Sequence, residues 1–124
     1  MKIVSTTHAT LNSLLYVKDP RSEDYPEIGG PKSTSIWVRP SCIAVSCLPD
    51  NDGDTAITIG PSAEMVPDTT LLFDGWIETP SNRIVVTTVL DEEVLGVGVP
   101  SERTRLRIWT DGYQDTKRVT IGVG

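Results

Sequence analysis

Histidine occurs once, at His8, and cysteine only twice, at Cys42 and Cys47, in 124 residues. Zinc centres want several His and Cys ligands at short spacing, and Ser-His-Asp or Cys-His catalysis would have to use that single imidazole. No G-x-S-x-G elbow is present either. The composition therefore points away from metal and nucleophilic chemistry, and we expect no catalytic residue, no metal site and no cofactor. Aromatic residues make up only 6% of the chain, so the core must be built from Val, Ile and Leu. Long apolar runs are also missing. The longest near the N-terminus is Leu14 to Val17, too short for a membrane span or for the apolar region of a signal peptide. Cys42 and Cys47 lie five positions apart. On one strand that spacing puts them on opposite faces, out of bridging range. Two free thiols suggest a reducing compartment, so a cytoplasmic protein is expected.

A further absence is local. Between Ser41 and Asn82 there is no Lys or Arg, while Asp50, Asp52, Asp54, Glu64, Asp68, Asp74 and Glu78 fall in that span. The net charge is −6, which disfavours nucleic acid and anionic membranes as partners.

What is present is turn chemistry and alternation. Ten Gly and nine Pro punctuate short apolar runs. Strands are read at Leu11 to Val17, Ser35 to Arg39, Ser41 to Leu48, Thr55 to Ile59, Thr69 to Glu78, Arg83 to Val89, Val94 to Val99, Arg103 to Trp109 and Lys117 to Val123, with Met1 to Thr10 left open between a strand and a frayed tail. The close spacing predicts one all-β domain over residues 1–124, an antiparallel β-sandwich of about eight strands, with a small β-barrel as the alternative. Asp52-Gly53 reads as a hairpin turn that returns Thr55 to Ile59 onto Ser41 to Leu48. Asp74-Gly75 suggests a bulge. Arg83 to Trp109 reads as a three-stranded meander, and the last strand as an edge able to pair with another copy. The polar loop Arg21 to Lys32 is a candidate contact surface, pinned by Tyr25 and Ile28.

The Asp-rich turn is not an EF-hand. Placing Gly53 at position six of the loop puts Leu48 at position one and Ile59 at position twelve, and neither can ligate calcium. Asp91, Glu92 and Glu93 form an exposed turn tip without an environment to separate their pKa values.

Two surface constellations remain. Asp50, Asp52, Asp54, Asp74 and Glu78, with Trp76 as an aromatic anchor, are the candidate surface for a basic protein partner. Arg103, Arg105, Arg107 and Trp109 alternate with Thr104, Leu106 and Ile108, so one strand face carries all three guanidinium groups and an indole. That face is a candidate anion or ligand site. The leading reading of the stripe is nonetheless a solvent face of cross-strand ion pairs, with Trp109 covering the Arg107 stem.

The order of elements carries a resemblance. An early strand leads to a charged Pro/Gly loop, then a small-residue strand, an acidic turn and a second strand. There follow Ile84 to Val89 (IVVTTV), an apolar strand ending at Val99-Pro100, and a last hairpin containing Leu106-Arg107-Ile108. This layout resembles small bacterial proteins of the competence protein J type, some of which inhibit a DNA-entry nuclease. The resemblance implies a non-enzymatic β-sandwich that binds another protein, as an inhibitor or immunity-type partner of a basic protein or nuclease. A small-ligand or carbohydrate-binding sandwich is the alternative.

Overall fold

A computed structural model of the chain describes residues 1–31 and 33–124, apart from the side chain of Asp50. The strands are β1 (Val4–His8), β2 (Leu14–Lys18), β3 (Ile36–Arg39), β4 (Cys42–Ser46), β5 (Thr55–Pro61), β6 (Thr70–Glu78), β7 (Arg83–Thr87), β8 (Glu93–Gly98), β9 (Arg103–Thr110) and β10 (Arg118–Val123). They form two five-stranded sheets, ordered β1-β5-β10-β9-β6 and β3-β4-β2-β7-β8. Pairing is antiparallel throughout except between β5 and β10, which run parallel. The expected sandwich is thus present, with ten strands, and the open N-terminal segment supplies β1, paired with β5 from Val4↔Ile59 to His8↔Thr55.

The period-two pattern explains the core. Thr104, Leu106 and Ile108 of β9 face inward, as do Val119, Ile121 and Val123 of β10 and Ile57 and Ile59 of β5. Leu15, Val17, Ile43, Val45, Ile84, Val86, Leu95 and Val97 meet them from the second sheet. Each fully buried aliphatic side chain contributes about 1.5–3 kcal/mol of transfer free energy.

Three pairings differ from the sequence expectation. Alternation gives a strand its inward face but does not name its neighbour. Thr55 to Ile59 does not return onto Cys42–Ser46. Pro49 to Asp54 instead carries the chain from one sheet to the other through a 3-10 turn (Asp50–Asp52) and Gly53, whose φ of 128° suits glycine. The meander also splits: β7 and β8 pair from Arg83↔Gly98 to Thr87↔Glu93, but β9 crosses over and lies between β6 and β10. Pro100 interrupts the ladder after Val99, whose N–H closes on Asn82 O at 3.0 Å. Finally, β10 is the central strand of its sheet rather than an edge, and β1 and β6 are the edges. The irregularity in β6 lies between Leu71 and Phe73, not at Asp74-Gly75.

The second sheet has a covered outer face. Residues 21–31 run across it, bonded to Lys18, Trp37 and Arg39, and Cys42, Ala44 and Lys18 are buried. Lys18, 1% exposed, donates from Nζ to Tyr25 Oη at 2.9 Å and to Asp91 Oδ1 at 2.8 Å. Its ammonium also lies 4.7 Å from the Tyr25 ring centroid. Burial alone would depress the Lys18 pKa, but the bonds to Asp91 and Tyr25 outweigh it and raise the value. Tyr25 is therefore one pin of this strap, whereas Ile28 is exposed and pins nothing. Arg39 to Asp24 at 3.0 Å, Trp37 Nε1 to Gly29 O at 3.0 Å, and Ser22 with Ser41 at 2.7 Å fasten the rest. Both cysteines are free and buried, and burial pushes each thiol up to about 12. At the neighbouring end of the sandwich the buried Asp19 carboxylate accepts from Ser81 N and Oγ at 2.8 Å each and from Arg21 N at 2.9 Å.

Candidate protein-binding surfaces

The two charge constellations meet on the outer face of the first sheet. In the β6–β9 ladder Asp74 is partnered by Arg107, Trp76 by Arg105 and Glu78 by Arg103. Because β6 carries the acids and β9 the arginines, segregation along the chain becomes alternation in space. Asp74 accepts from Arg105 Nε at Oδ1, 3.1 Å, and from Arg105 Nη2 at Oδ2, 3.2 Å, and Arg107 Nε lies 3.4 Å from the same Oδ2. Arg103 takes a different partner: its guanidinium carbon sits 4.6 Å from the centroid of the Trp76 ring. Such a cation–π contact is worth about 0.5–1 kcal/mol at an exposed site.

Of the two indoles, Trp76 is the accessible one, at 53% exposed against 8% for Trp109. Trp109 lies over Gly122, with Ser62 of the 3-10 turn Ser62–Glu64 beside it. A Cβ on Gly122 would meet Ser62 Oγ at 2.6 Å and the Trp109 ring at 3.0 Å. Trp109 is therefore part of the packing beneath that turn and does not cover the Arg107 stem at an open platform. Around Trp76, with Pro61, Pro100, Arg103, Arg105 and Val123, runs an open groove of about 530 Å³, and a second groove measures about 520 Å³. The other lies between the strap and β3, against Asp24, Tyr25, Glu27 and Trp37.

Asp52 and Asp54 lie elsewhere. They sit where β5 begins, at the opposite end of the sandwich from Glu78, which ends β6. Leu48 N donates to Thr116 O at 2.9 Å and Ala56 N to Lys117 O at 2.8 Å, which sets this segment against the β9–β10 turn. That turn brings in Asp111, Asp115 and the 62% exposed Tyr113. Asp111 Oδ1 accepts from the N–H groups of Lys117 at 2.9 Å and Arg118 at 3.1 Å. Glu92 is near, with His8 Nε2 at 3.7 Å. Asp68 pairs with Arg118 at 2.8 and 3.1 Å, and those bonds hold its carboxyl below the ordinary range. Asp50 belongs to the same segment, but its side chain is outside the described residues.

The candidate acidic set thus divides. Asp52 and Asp54 join an acidic end with Tyr113, while Asp74, Trp76 and Glu78 join the arginine face. Sequence reasoning could not see Tyr113, Asp111 and Asp115 as neighbours of the Asp-rich segment, because the chain alone does not show that Leu48 meets Thr116. Among the described residues, no group of three or more His, Cys, Asp or Glu converges as metal ligands, and no helix is long and apolar enough to cross a membrane.

Two sheets in this order, with the parallel β5–β10 pair at the centre of one, can be compared with solved structures. ComJ from Bacillus subtilis, described as an inhibitor of the DNA degrading activity of NucA, matches with a TM-score of 0.67 over 99% of this chain and 94% of its own, at 11% identity. The chain has the ComJ fold. A second protein of similar structure, crocagin biosynthetic gene J, matches with a TM-score of 0.53 over 98% of this chain and 96% of its own, also at 11% identity. By sequence, no family model and no curated protein matches. The likeness to ComJ is therefore one of fold, nearly the whole length of the chain.

Proposed function

We propose that this chain is a non-enzymatic protein-binding module of the inhibitor type, directed at a basic protein, with a DNA-degrading nuclease as the leading partner class. The observation that carries the reading is a whole-length likeness to an inhibitor of such an activity, on a chain of net charge −6. Fold alone does not fix function, so the surface must supply the contact. The end formed by Asp52, Asp54, Asp111 and Asp115 around Tyr113 offers it. Exposed carboxylates steer a cationic partner and set its register, and an aromatic anchor supplies contact area at little entropic cost. The bound carboxylates would stand where a nuclease receives phosphates. Two buried, unpaired thiols fit action in the cytoplasm.

The test is capture from the native lysate at low and high salt, followed by a DNA-degradation assay on what is captured. A basic nuclease retained only at low salt, and silenced by the chain, is the expected result. Asp52→Lys with Asp54→Lys should slow association about tenfold or more, since steering acts on the on-rate. Failure to retain any salt-sensitive protein would refute the proposal. The alternative, a small-ligand or carbohydrate-binding sandwich, is favoured by the groove beside Trp76 and Arg103. A thermal-shift screen with anionic ligands and sugars separates the two, because a specific ligand raises the melting temperature by mass action.

A further inference from the structure

The nine-residue strand β6 is an edge of the first sheet, and its backbone polarity can be read from three hydrogen bonds. Glu78 N donates away from β9, to Pro40 O at 2.7 Å, whereas the next residue, Thr79 N, donates to Glu102 O at 2.8 Å on the β9 side. Directions alternate along a strand, so Trp76 and Asp74 share the outward sense of Glu78. The partner strand agrees: Gly124 N donates to Arg105 O at 2.8 Å, so the backbone of Arg105, the ladder partner of Trp76, faces β10. Asp74 and Trp76 therefore present both N–H and C=O to the open edge, separated by Gly75.

Edges of this kind are usually blunted by Lys, Pro or a covering segment. From Thr70 to Glu78 there is neither Lys nor Pro, and Leu71 and Trp76 are 49% and 53% exposed. The two edges of the second sheet are less open: β3 has four residues and adjoins the strap, to which its Trp37 bonds. On β8 the Arg83 guanidinium lies across Gly96.

We propose that β6 pairs with β6 of a second copy of this chain, in antiparallel register about a two-fold axis at Gly75. In that register Asp74 faces Trp76 of the partner subunit, Trp76 faces Asp74 of the partner subunit, and each pair exchanges both backbone bonds. Gly75 meets its own copy at the axis, where the absence of a side chain removes any clash. The charges are complementary as well. Arg105 and Arg107 share Asp74, but Arg103 lies on Trp76 and, among the described residues, has no carboxylate within 4.0 Å. Pairing brings Asp74 of the partner subunit beside Trp76, and so beside the guanidinium stacked on it. The like charges of the two Asp74 side chains stand on a diagonal, not opposite each other. The acidic end is left clear, so a partner bound there and the second copy do not compete.

The experiment uses the full chain and needs no ligand. Sedimentation velocity from micromolar to millimolar concentration should show a reversible monomer–dimer equilibrium. Amide hydrogen exchange at Asp74 and Trp76 should slow as the dimer fills, with the amides of the other edges unchanged. Trp76→Pro removes an outward N–H from each copy without breaking a β6–β9 bond, and should weaken dimerisation about 30-fold or more. Asp74→Lys, a blunted edge that keeps its N–H, provides a second variant should the first fold poorly; it should leave the chain monomeric. A monomer at every concentration overturns the inference. So does a dimer whose Asp74 and Trp76 amides still exchange freely, or one that persists in both variants.

Discussion

Removing Asp91 should cost this protein more than removing Lys18, although the two residues make one ion pair. The Lys18 side chain is 1% exposed and the Asp91 side chain 57% exposed. Asp91→Ala leaves an ammonium under the strap with only Tyr25 Oη and the Tyr25 ring to balance it. Stripping one member from a fully buried pair costs about 3–5 kcal/mol. Here the tyrosine contacts remain and water can enter from the side that Asp91 vacates, so about 2 kcal/mol is expected. Lys18→Met takes the charge out altogether, keeps the apolar stem, and returns Asp91 to water where it is already half solvated. That should cost under about 1 kcal/mol. With an unfolding entropy of about 2.1 cal/mol/K per residue over 124 residues, these become drops in Tm of about 8 °C and less than about 4 °C. Denaturant unfolding of wild type, both single variants and the double variant closes the cycle. The pH dependence carries a second check. The bond to Lys18 holds the Asp91 carboxyl below its ordinary value, so its contribution is present above the unfolded-state pKa and is lost as pH falls through the lower folded value. Lys18 is raised, so its contribution is present below the unfolded pKa and lost as pH rises through the folded one. The pair should therefore stabilise evenly across neutral pH. A Lys18→Met variant as damaged as Asp91→Ala would refute the idea that burial of the ammonium dominates.

Other expectations concern the thiols, the Trp109 packing and acid stability. Both thiols are raised to about 12 by burial, so neither should react with an aromatic disulfide reagent at mildly alkaline pH until the chain unfolds. In Asp91→Ala with Tyr25→Ala, which loosens the strap, Cys42 should label before Cys47, as peptide mapping would show. Gly122→Ala forces a methyl into contact with Ser62 and Trp109 and should cost about 1–3 kcal/mol by overpacking, read by chemical denaturation. Asp68 and Glu93 are lowered by bonds to Arg118 and Arg83. Asp68→Asn should therefore destabilise at neutral pH, with the difference from wild type shrinking as acid protonates the carboxylate. A difference that grew with acid would contradict the pairing.

The residues that alternate most cleanly were the most legible in the sequence. Leu106, Ile108, Val119 and Ile121 declare their inward faces by period two, and those faces form the core. What alternation cannot carry is the partner of a strand. The pattern in Thr55 to Ile59 is satisfied equally by β4, by β1 or by β10, and only the packed structure selects the last two. Lys18 was invisible for another reason. A lysine after an apolar run reads as a solvated strand end, and nothing local says that a loop seven residues on and a turn at Asp91 will close over it. At the surface, the arginine stripe was readable as one face, but its neutralisation by Asp74 depends on β6 lying beside β9. The exposure of Trp76 and the burial of Trp109 likewise follow from where the turn Ser62–Glu64 comes to rest.

The place of β10 has a consequence for how the molecule is made. Its sheet cannot close until its final strand, ending at Val123, has been synthesised, since β5 and β9 both pair with that strand and not with each other. Up to that moment the growing chain holds two half-sheets, β1 with β5 and β6 with β9, each with an apolar face and an unpaired flank. Contacts so distant in sequence form slowly, and unpaired flanks invite association. A nascent chain that has emerged only as far as β9 is thus the one most exposed to aggregation, and the arrival of β10 is the step that seals this sheet.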